Sequence, residues 1–320
     1  MNEGAAPRIR YRPDLDGLRA LAVGLVIVTH VDLPFVNNGG DVGVTAFFVL
    51  SGYLITGLLL DERDRTGRID LRAFYGRRVR RLAPALVLLL AFVVIVGVAT
   101  SWPTGWSLSI ASTLLYVSNW VQAAGISINF IGHTWSLSIE EQFYLLWPAV
   151  LILAGTRRAA IVAILLVGVA TAVRTATDGP FEYFSTITRG DAILVGCLLA
   201  IANIRLPAFL GLGGVIAMVF VAYGNLSHDL TIPLAIVAAA AVITGGARPL
   251  RVLAPMGRRA YGLYLWNWPL VILFGTLAVP LTFLAAELSW RLVEVRFIRR
   301  RIRTASSEGS LSPEISPTLG

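Results

Sequence analysis

Eleven apolar runs separated by short polar stretches dominate the pattern of this chain. A helix needs about 20 apolar residues to cross a bilayer, and the runs approach that length, although several are shorter. The pattern therefore predicts an all-α integral membrane protein. The runs cover residues 15–31, 42–60, 82–99, 107–122, 136–154, 159–173, 187–202, 207–223, 230–245, 260–276 and 278–297.

The arginines between the runs indicate how many of the runs cross the membrane. Short cytoplasmic loops are enriched in basic residues, so we expect all the arginine-rich connections on one side. An even number of crossings must then separate residues 81 and 157, and we expect the most polar run, 107–122, to be a short re-entrant or interfacial helix. About ten transmembrane helices remain, with both termini cytoplasmic. The arginine-rich connections are 61–81, 157–158, 248–259, 296–303 and the stretch that contains Arg205.

Composition supports this interpretation. Hydrophobic residues make up 56% of the 320 residues, charged residues make up 14%, and the mean hydropathy is +0.72, which is typical of a polytopic membrane protein. The net charge of +8 comes from arginines in short loops, so we expect no nucleic-acid binding. We expect a cytoplasmic tail at 1–10, a membrane domain at 11–300, and a disordered C-terminal tail at 301–320 that is rich in polar residues.

Disulfide and metal chemistry find no support in the sequence. The single cysteine, Cys197, cannot form an intrachain disulfide, and it follows Gly196 in an apolar run, where small residues favour close helix packing. The three histidines, His30, His133 and His228, are scattered and lack zinc-ligand spacing, so no metal is expected.

The first apolar run carries an arginine near its start and a histidine at its end. Arg19 and His30 are eleven positions apart, which places them about 16 Å apart along a helix and within about 20° of one face. Ionisable residues inside an apolar helix indicate function. The alternative is that Arg19 reaches the interface while His30 lies among the lipid headgroups.

The longest connection, residues 61–81, contains eight arginines. Two explanations remain open for them, because arginines attract anionic lipid headgroups and also bind phosphate groups in clusters. Under the second explanation, Arg77, Arg78 and Arg81 belong to a phosphate site together with Arg19.

The second run begins after NNGGDVG and contains the polar step Ser51-Gly52-Tyr53. Small and hydroxyl-bearing residues at this depth allow close helix packing, and they equally suit the lining of a polar channel beside the first run. Asp41, Ser51 and Tyr53 are therefore candidates for an acceptor site or a channel.

Residues 133–148, HTWSLSIEEQFYLLWP, combine aromatic and acidic residues. An aromatic belt at the membrane interface explains Trp135, but Glu140 and Glu141 need a polar partner or a wet cavity. A carboxylate beside His30 would orient the imidazole and raise its basicity, as general-base catalysis requires. We therefore expect both glutamates at the catalytic site, with His133, Trp135 and Ser136 along the acceptor path or channel.

Two later motifs add polar groups to the apolar runs. TRGDAILVG places Arg189 and Asp191 at the outer end of a helix, and we expect them to bind each other or a polar acceptor. AYGLYLWNWPL places Asn267 between two tryptophans, where an amide can join helices by hydrogen bonds.

Taken in order, these stretches resemble the membrane-bound acyltransferase 3 family of bacterial O-acyltransferases. The resemblance runs from Tyr11 to about Arg296, and six ordered motifs are more specific than any one of them. The motifs are YRPDLDGLRALAV with the later His30, FFVLSGYLIT, FYGRRVRRLAPAL, HTWSLSIEEQFYLLWP, RGDAILVG and YGLYLWNWPL.

The resemblance implies roles for particular residues. Arg19 and His30 match the essential Arg–His pair of the family, and Arg78 and Arg81 match its RxxR element. Asn267 departs from the pattern, because many members have WHWP here, and this puts a catalytic role for the position in doubt. A second departure is that no esterase-like SGNH domain follows the last predicted span, so we expect the stand-alone membrane form. The stretch Trp135, Ser136 and Glu140 matches the family's WSLxxE motif.

The expected function is therefore acyl transfer at the bacterial inner membrane. Cytoplasmic acyl-CoA, with acetyl as the default acyl group, would be the co-substrate, and no tightly bound cofactor is expected. The acceptor would be a hydroxyl of an extracytoplasmic or lipid-linked carbohydrate or small molecule. His30 would act as general base, with an acyl-histidine relay as the competing route. A polytopic transporter or flippase is the alternative, because buried His, Arg and Glu also line translocation paths.

Overall fold

The computed structural model describes residues 11–32, 35–100 and 105–295, and these residues form helices and turns without a strand. The tails expected at 1–10 and 301–320, and the last arginine-rich stretch at 296–303, lie outside the described residues. The longer helices are α1 (Pro13–His30), α2 (Gly39–Thr66), α3 (Leu71–Thr100), α6 (Thr134–Ala176), α8 (Thr186–Ala202), α9 (Ala208–Tyr223), α10 (His228–Gly245), α12 (Ala260–Phe274) and α13 (Ala278–Ser289). The shorter ones are α4 (Trp106–Leu114), α5 (Ser118–Ala123), α7 (Gly179–Phe184) and α11 (Ala254–Gly257).

Six helices of the described chain are long and apolar enough to cross a membrane by length and composition. The apolar run 107–122 is not among them, because it forms the short helices α4 and α5, as expected for an element that does not cross. The six are Gly39–Thr66, Leu71–Thr100, Thr134–Ala176, Gly179–Ala202, His228–Gly245 and Ala260–Val293, and Ala208–Tyr223 is a shorter apolar helix.

The surface of the helix bundle is apolar, as a lipid environment requires. Large hydrophobic side chains are exposed on several helices, and a soluble protein of this size rarely exposes so much apolar surface. The chain is therefore a multi-pass membrane protein. Examples of the exposed side chains are Ile95, Val98, Leu153, Phe220 and Val237.

Helix α6 is long enough for two crossings, and it doubles back at Gly155. That residue has φ 73° and ψ 166°, a conformation open to glycine but strained for other residues. The start of α8 contacts both halves of α6: Thr186 donates a hydrogen bond to Gln142, and Arg174 donates one to the Thr188 carbonyl. A straight helix would separate Gln142 from Arg174 by about 48 Å, so the two halves form a hairpin.

The stretch from α12 to α13 turns back in the same way. Gly275, with φ 57°, interrupts the helical backbone between them. Gly262 on α12 lies against Ala286 on α13, although a straight helix would place these two residues about 36 Å apart.

The arginine-rich connection is mostly helical rather than a loop. Helix α2 continues to Thr66 and α3 begins at Leu71, so only four residues join them. Gly67 ends α2 in the left-handed conformation, and the Asp70 carboxylate accepts a hydrogen bond from the Ala73 amide at the start of α3. Arginines near both helix ends are therefore held on regular backbone.

Helix α1 lies at the centre of the molecule and packs against α2, α11, α12 and the turn at Arg248–Leu253. Pro13 occupies the first helical position, where its missing N–H costs nothing, and Asp14 and Asp16 lie in the positively polarised first turn. This packing fixes the two ends of α1, which carry Arg19 and His30.

Helices α2 and α8 approach each other through glycine. A Cβ added at Gly52 would lie 1.9 Å from the Ile193 carbonyl oxygen, and one at Gly196 would lie 2.0 Å from the Val49 carbonyl oxygen. Cys197 is buried beside this contact and donates to the Ile193 carbonyl. The packing role expected for Cys197 is confirmed, and Gly52 serves close packing in the same way.

Candidate active site

His30 is held by two residues of α12. Its Nδ1 lies 2.6 Å from Asn267 Oδ1, and its ring centroid lies 4.6 Å from that of Trp268, with the planes tilted by 60°. Asn267 thus joins α1 to α12, as an amide between helices was expected to do, and it does so through the candidate catalytic histidine. The hydrogen bonds of the described residues leave the other ring nitrogen, Nε2, without a partner.

Glu140 and Glu141 bind other partners than His30, which was the expected one. Glu140 Oε1 accepts a hydrogen bond of 2.7 Å from the Ser51 hydroxyl, and Glu141 Oε1 lies 3.0 Å from Arg78 Nη2. The expected His30–carboxylate contact is absent from the described residues. The reason is depth: His133, the N-cap residue of α6, lies within electrostatic range of His30, and Glu140 lies seven residues, about 10 Å, further along.

His133 is buried, with 5% of its surface exposed, and neither of its ring nitrogens has a hydrogen-bond partner in the described chain. Its backbone is fixed instead. The Tyr264 hydroxyl donates to the His133 carbonyl at 2.5 Å, and Ser136 Oγ lies 2.6 Å from the same hydroxyl. Since a tyrosine has one O–H, Ser136 is the donor in the second bond.

One face of α6 carries a continuous row of polar side chains, which we call the polar column. Its members are separated by three or four residues, the spacing that places side chains on one face of a helix. The first and last members are eleven positions, about 16 Å, apart, which matches the separation of Arg19 and His30 on α1. The members are the N-cap residue His133 and, within α6, Ser136, Glu140 and Tyr144.

The arginines gather at the Tyr144 end of the polar column. The Arg78 guanidinium carbon lies 3.3 Å from the centroid of the Tyr144 ring, a close cation–π contact. Arg19 donates to Asp16 at 2.7 Å, and Arg81, which is exposed, lies within electrostatic range of Arg19 and Arg78. Three of the four candidate phosphate-binding arginines therefore lie together.

Arg77 lies apart from that group. Its Nη2 is 3.0 Å from Glu62 Oε2, so it pairs with the end of α2. Tyr53 also lies outside the polar column, half-buried against the main apolar core.

The expected pair of Arg189 with Asp191 does not form. Asp191 accepts a hydrogen bond of 2.5 Å from Arg174, and both of these side chains are buried. The Arg189 guanidinium lies 2.6 Å from His228 Nε2 and 3.6 Å from Asp41 Oδ1. Arg189 and Asp191 are two residues apart on α8, so their side chains leave the helix in directions about 200° apart.

A second group of charged side chains surrounds Arg189, and we call it the outer cluster. Its members are Asp41, Glu182, Arg189 and His228. The guanidinium is 1% exposed and faces the rings of Trp135 and Tyr183 at 5.3 Å and 5.4 Å. His228 Nδ1 lies 2.5 Å from Glu182 Oε1. Asp41 Oδ1 and Arg189 Nη2 face each other across the 3.6 Å ion pair, and neither atom has a hydrogen-bond partner among the described residues.

Comparison with known families shows which protein family the chain belongs to. The model of a family described as "Acyltransferase domain" matches residues 12–293, which include the polar column, the arginines and the outer cluster. The chain belongs to the acyltransferase 3 family.

Relatives of this chain are named as O-acetyltransferases. A putative O-acetyltransferase of Staphylococcus aureus strain MRSA252 is 31% identical over 96% of this chain and 60% of its own length. The O-acetyltransferase OatA of Staphylococcus aureus strain NCTC 8325 is 31% identical over 89% of this chain and 57% of its own length. The chain thus spans about three fifths of the length of these relatives. No solved structure matches it.

Several polar residues of this chain were not identified as site residues from its sequence. Asn267 was interpreted only as a link between helices, and Arg174, Glu182 and His228 were not assigned to a site. Arg174 could have been identified from the sequence, because a charged residue at the end of an apolar run needs a polar partner. In the described chain, no three His, Cys, Asp or Glu side chains come together in a way that could hold a metal ion.

Proposed function

We propose that the chain is a membrane O-acyltransferase that moves an acyl group, acetyl by default, from cytoplasmic acyl-CoA to a hydroxyl group. The acceptor is an extracytoplasmic or lipid-linked carbohydrate or small molecule, and His30 is the general base. The observation that carries this proposal is the polar column, which joins an arginine group at one end to two histidines at the other.

The arginine end suits the donor. Arg19, Arg78 and Arg81 lie together at the Tyr144 end of the column, and guanidinium groups bind phosphate oxygens in pairs. The nucleotide of acyl-CoA is too charged to cross a bilayer, whereas its pantetheine arm is about as long as one leaflet. A column of about 16 Å is close to half of a hydrocarbon core of about 30 Å, so the thioester would reach His30 while the phosphates stay at the arginines.

The histidine end suits acyl transfer. In the proposed step, His30 Nε2 takes the proton of the acceptor hydroxyl as its oxygen attacks the thioester carbonyl carbon. A tetrahedral intermediate forms, the C–S bond breaks, and the ester remains on the acceptor. The thiolate of CoA leaves with the bonding electron pair and takes the proton from the imidazolium. His133, with two ring nitrogens to spare, would bind the acceptor or the carbonyl oxygen.

The outer cluster suits a polyhydroxylated acceptor. Trp135 and Tyr183 offer flat apolar faces beside Arg189, and the 3.6 Å ion pair of Asp41 Oδ1 with Arg189 Nη2 leaves both atoms without a hydrogen bond among the described residues, so hydroxyl groups could bind to them. Asp191 has a different role in this proposal, because Arg174 already occupies its carboxylate.

We also propose ten crossings, with both termini in the cytoplasm of a bacterial cell whose inner membrane holds the chain. The six long apolar helices become eight crossings if the two hairpins, at Gly155 and Gly275, each count as two. Helices α1 and α9 supply the remaining two. Arg63 donates to Thr156 beside the Gly155 turn, which is consistent with that turn lying on the side of the arginine-rich connection.

Acyl-CoA turnover in detergent solution tests the function and separates it from a transporter. The wild type should release free CoA from acetyl-CoA when octyl glucoside supplies sugar hydroxyls on an apolar tail. His30→Ala should reduce that release by roughly 10²-fold or more, since a general base contributes about 10²–10⁴-fold.

Arg65→Gln is the matched control, because Arg65 is an exposed arginine that pairs with Asp61 away from the polar column. It should release CoA at the wild-type rate. Release that survives in His30→Ala would remove His30 from the mechanism, and a wild type that releases no CoA would favour the transporter.

A further inference from the structure

Among the described residues, the Asn267 side chain has one hydrogen-bond partner, His30. The side chain is fully buried, with 0% of its surface exposed, and its Oδ1 lies 2.6 Å from His30 Nδ1. Its Nδ2 has no partner among the described residues.

With the Asn267 carbonyl facing His30, this contact favours one imidazole tautomer. A carbonyl oxygen only accepts hydrogen bonds, so a neutral His30 that binds Asn267 Oδ1 must carry its hydrogen on Nδ1. Nε2 then has the lone pair. Had the amide been turned the other way, its NH₂ group would donate to Nδ1 and Nε2 would carry the hydrogen, leaving no base at that nitrogen.

A purely structural link would use the amide differently. Buried amides that join helices usually satisfy both the carbonyl and the NH₂ group, because each buried polar group without a partner costs free energy. Asn267 satisfies only the carbonyl. Trp268, the next residue, places its ring against His30, so consecutive residues of α12 fix both the hydrogen-bond direction and the tilt of the imidazole.

We propose that Asn267 is a positioning residue: its carbonyl holds His30 in the Nδ1–H tautomer and leaves Nε2 open towards the acceptor hydroxyl. The inference rests on the proposed function only for what Nε2 then does. Because the amide is neutral, it orients His30 without the desolvation cost that a carboxylate would carry at this depth. During transfer, Nε2 gains the acceptor's proton and passes it to the leaving thiolate, while Nδ1–H stays bound to Asn267 throughout.

The tautomer can be observed without any turnover. The chain has only three histidines, so the ¹⁵N spectrum of histidine-labelled protein in detergent is simple, and the signals lost in His30→Gln identify His30. At a pH where His30 is neutral, the wild type should show a protonated Nδ1 and an unprotonated Nε2. Asn267→Leu should lose that preference, and Asn267→Asp, which restores an acceptor oxygen, should recover it.

Kinetics give the second readout. Asn267→Leu should lower kcat for CoA release about 10- to 100-fold, part of what a well-placed base contributes, with KM for acetyl-CoA within twofold of wild type. Trp266→Phe is the matched control on the same helix, since the Trp266 indole N–H has no partner to lose. It should leave the tautomer and kcat unchanged.

Two results would overturn the inference: an Nε2–H tautomer in the wild type, or an unchanged Nδ1–H tautomer in Asn267→Leu. A wild type with the expected tautomer but without CoA release would instead contradict the proposed function, and the hold of Asn267 on His30 would stand.

Discussion

The buried ions near the start of α8 differ in how fully they are paired. Arg174 and Asp191 form a close ion pair, and Arg174 also donates to the Thr188 carbonyl. Arg189 lies 3.6 Å from Asp41, and one of its nitrogens has no hydrogen-bond partner in the described chain. A close, hydrogen-bonded ion pair stabilises the bundle, whereas a longer pair without a hydrogen bond leaves its polar atoms able to bind a substrate. We therefore assign the first pair to structure, and the second remains the proposed acceptor site.

The first assignment predicts a large loss of stability in Asp191→Asn. The change leaves the buried Arg174 charge without its counter-ion, and breaking such a pair costs about 3–5 kcal/mol. Thermal unfolding in detergent should show a clearly lower Tm. Arg65→Gln breaks a pair whose arginine is 64% exposed, and exposed pairs contribute at most about 1 kcal/mol, so its Tm should be close to wild type. Equal losses in both variants would contradict the assignment.

For individual residues, the sequence predicted which polar side chains lie inside apolar helices but not which of them contact each other. Charges and amides inside apolar runs identified His30, Glu140, Arg189 and Asn267. Their partners depend on the depth and rotation of each helix relative to its neighbours, and periodicity along one helix contains no information about either. For that reason the contact expected between His30 and a carboxylate was wrong, and the bond between Asn267 and His30 was found only in the structure.

Among the elements, the α2–α8 contact supports the polar column most directly. Gly52 lets α8 approach the α2 backbone, while the preceding residue, Ser51, turns to the other side and binds Glu140. The sequence left close packing and channel lining open as alternatives for this polar step. The structure shows close packing at Gly52, while Ser51 points about 100° away on the same helix and binds Glu140, so channel lining stays a prediction.

Gly52→Ala should therefore destabilise the protein. The added Cβ would lie 1.9 Å from the Ile193 carbonyl oxygen, and overpacking of this kind costs about 1–3 kcal/mol. Gly168→Ala is the control, because Gly168 is a helical residue at which an added Cβ would have no other atom within 4 Å, and alanine favours helix. Thermal unfolding should show a lower Tm for Gly52→Ala alone. An unchanged Tm in Gly52→Ala would mean that the two helices do not touch here.

The apolar runs predicted the helices well because length and hydropathy are properties of single segments. The runs 136–154 and 159–173 correspond to the two halves of α6, and the polar run 107–122 corresponds to two short helices. The arginine-rich segment 61–81 was predicted less well. It was expected to be a connection, yet α2 and α3 extend into it, because arginine has a high helix propensity and only Gly67 breaks the backbone pattern.

At the scale of the whole molecule, the proposed donor and acceptor sites lie at opposite ends of one polar column. The arginines lie at the Tyr144 end, and His30 and His133 lie at the other. The outer cluster lies beside the histidine end of the column, where Arg189 faces Trp135 of α6. The family and the all-helical bundle followed from the sequence alone, whereas the continuity of the column required the structure.

The side of the membrane at which acetyl-CoA is consumed tests this arrangement most directly. Sealed inside-out vesicles, right-side-out vesicles and vesicles with His30→Ala are compared, with octyl glucoside below its micelle concentration as acceptor. Acetyl-CoA added outside should release CoA from inside-out vesicles, and release should be at least about tenfold lower from right-side-out vesicles and from the His30→Ala variant. Equal release from both orientations, or release that does not depend on His30, would contradict the account.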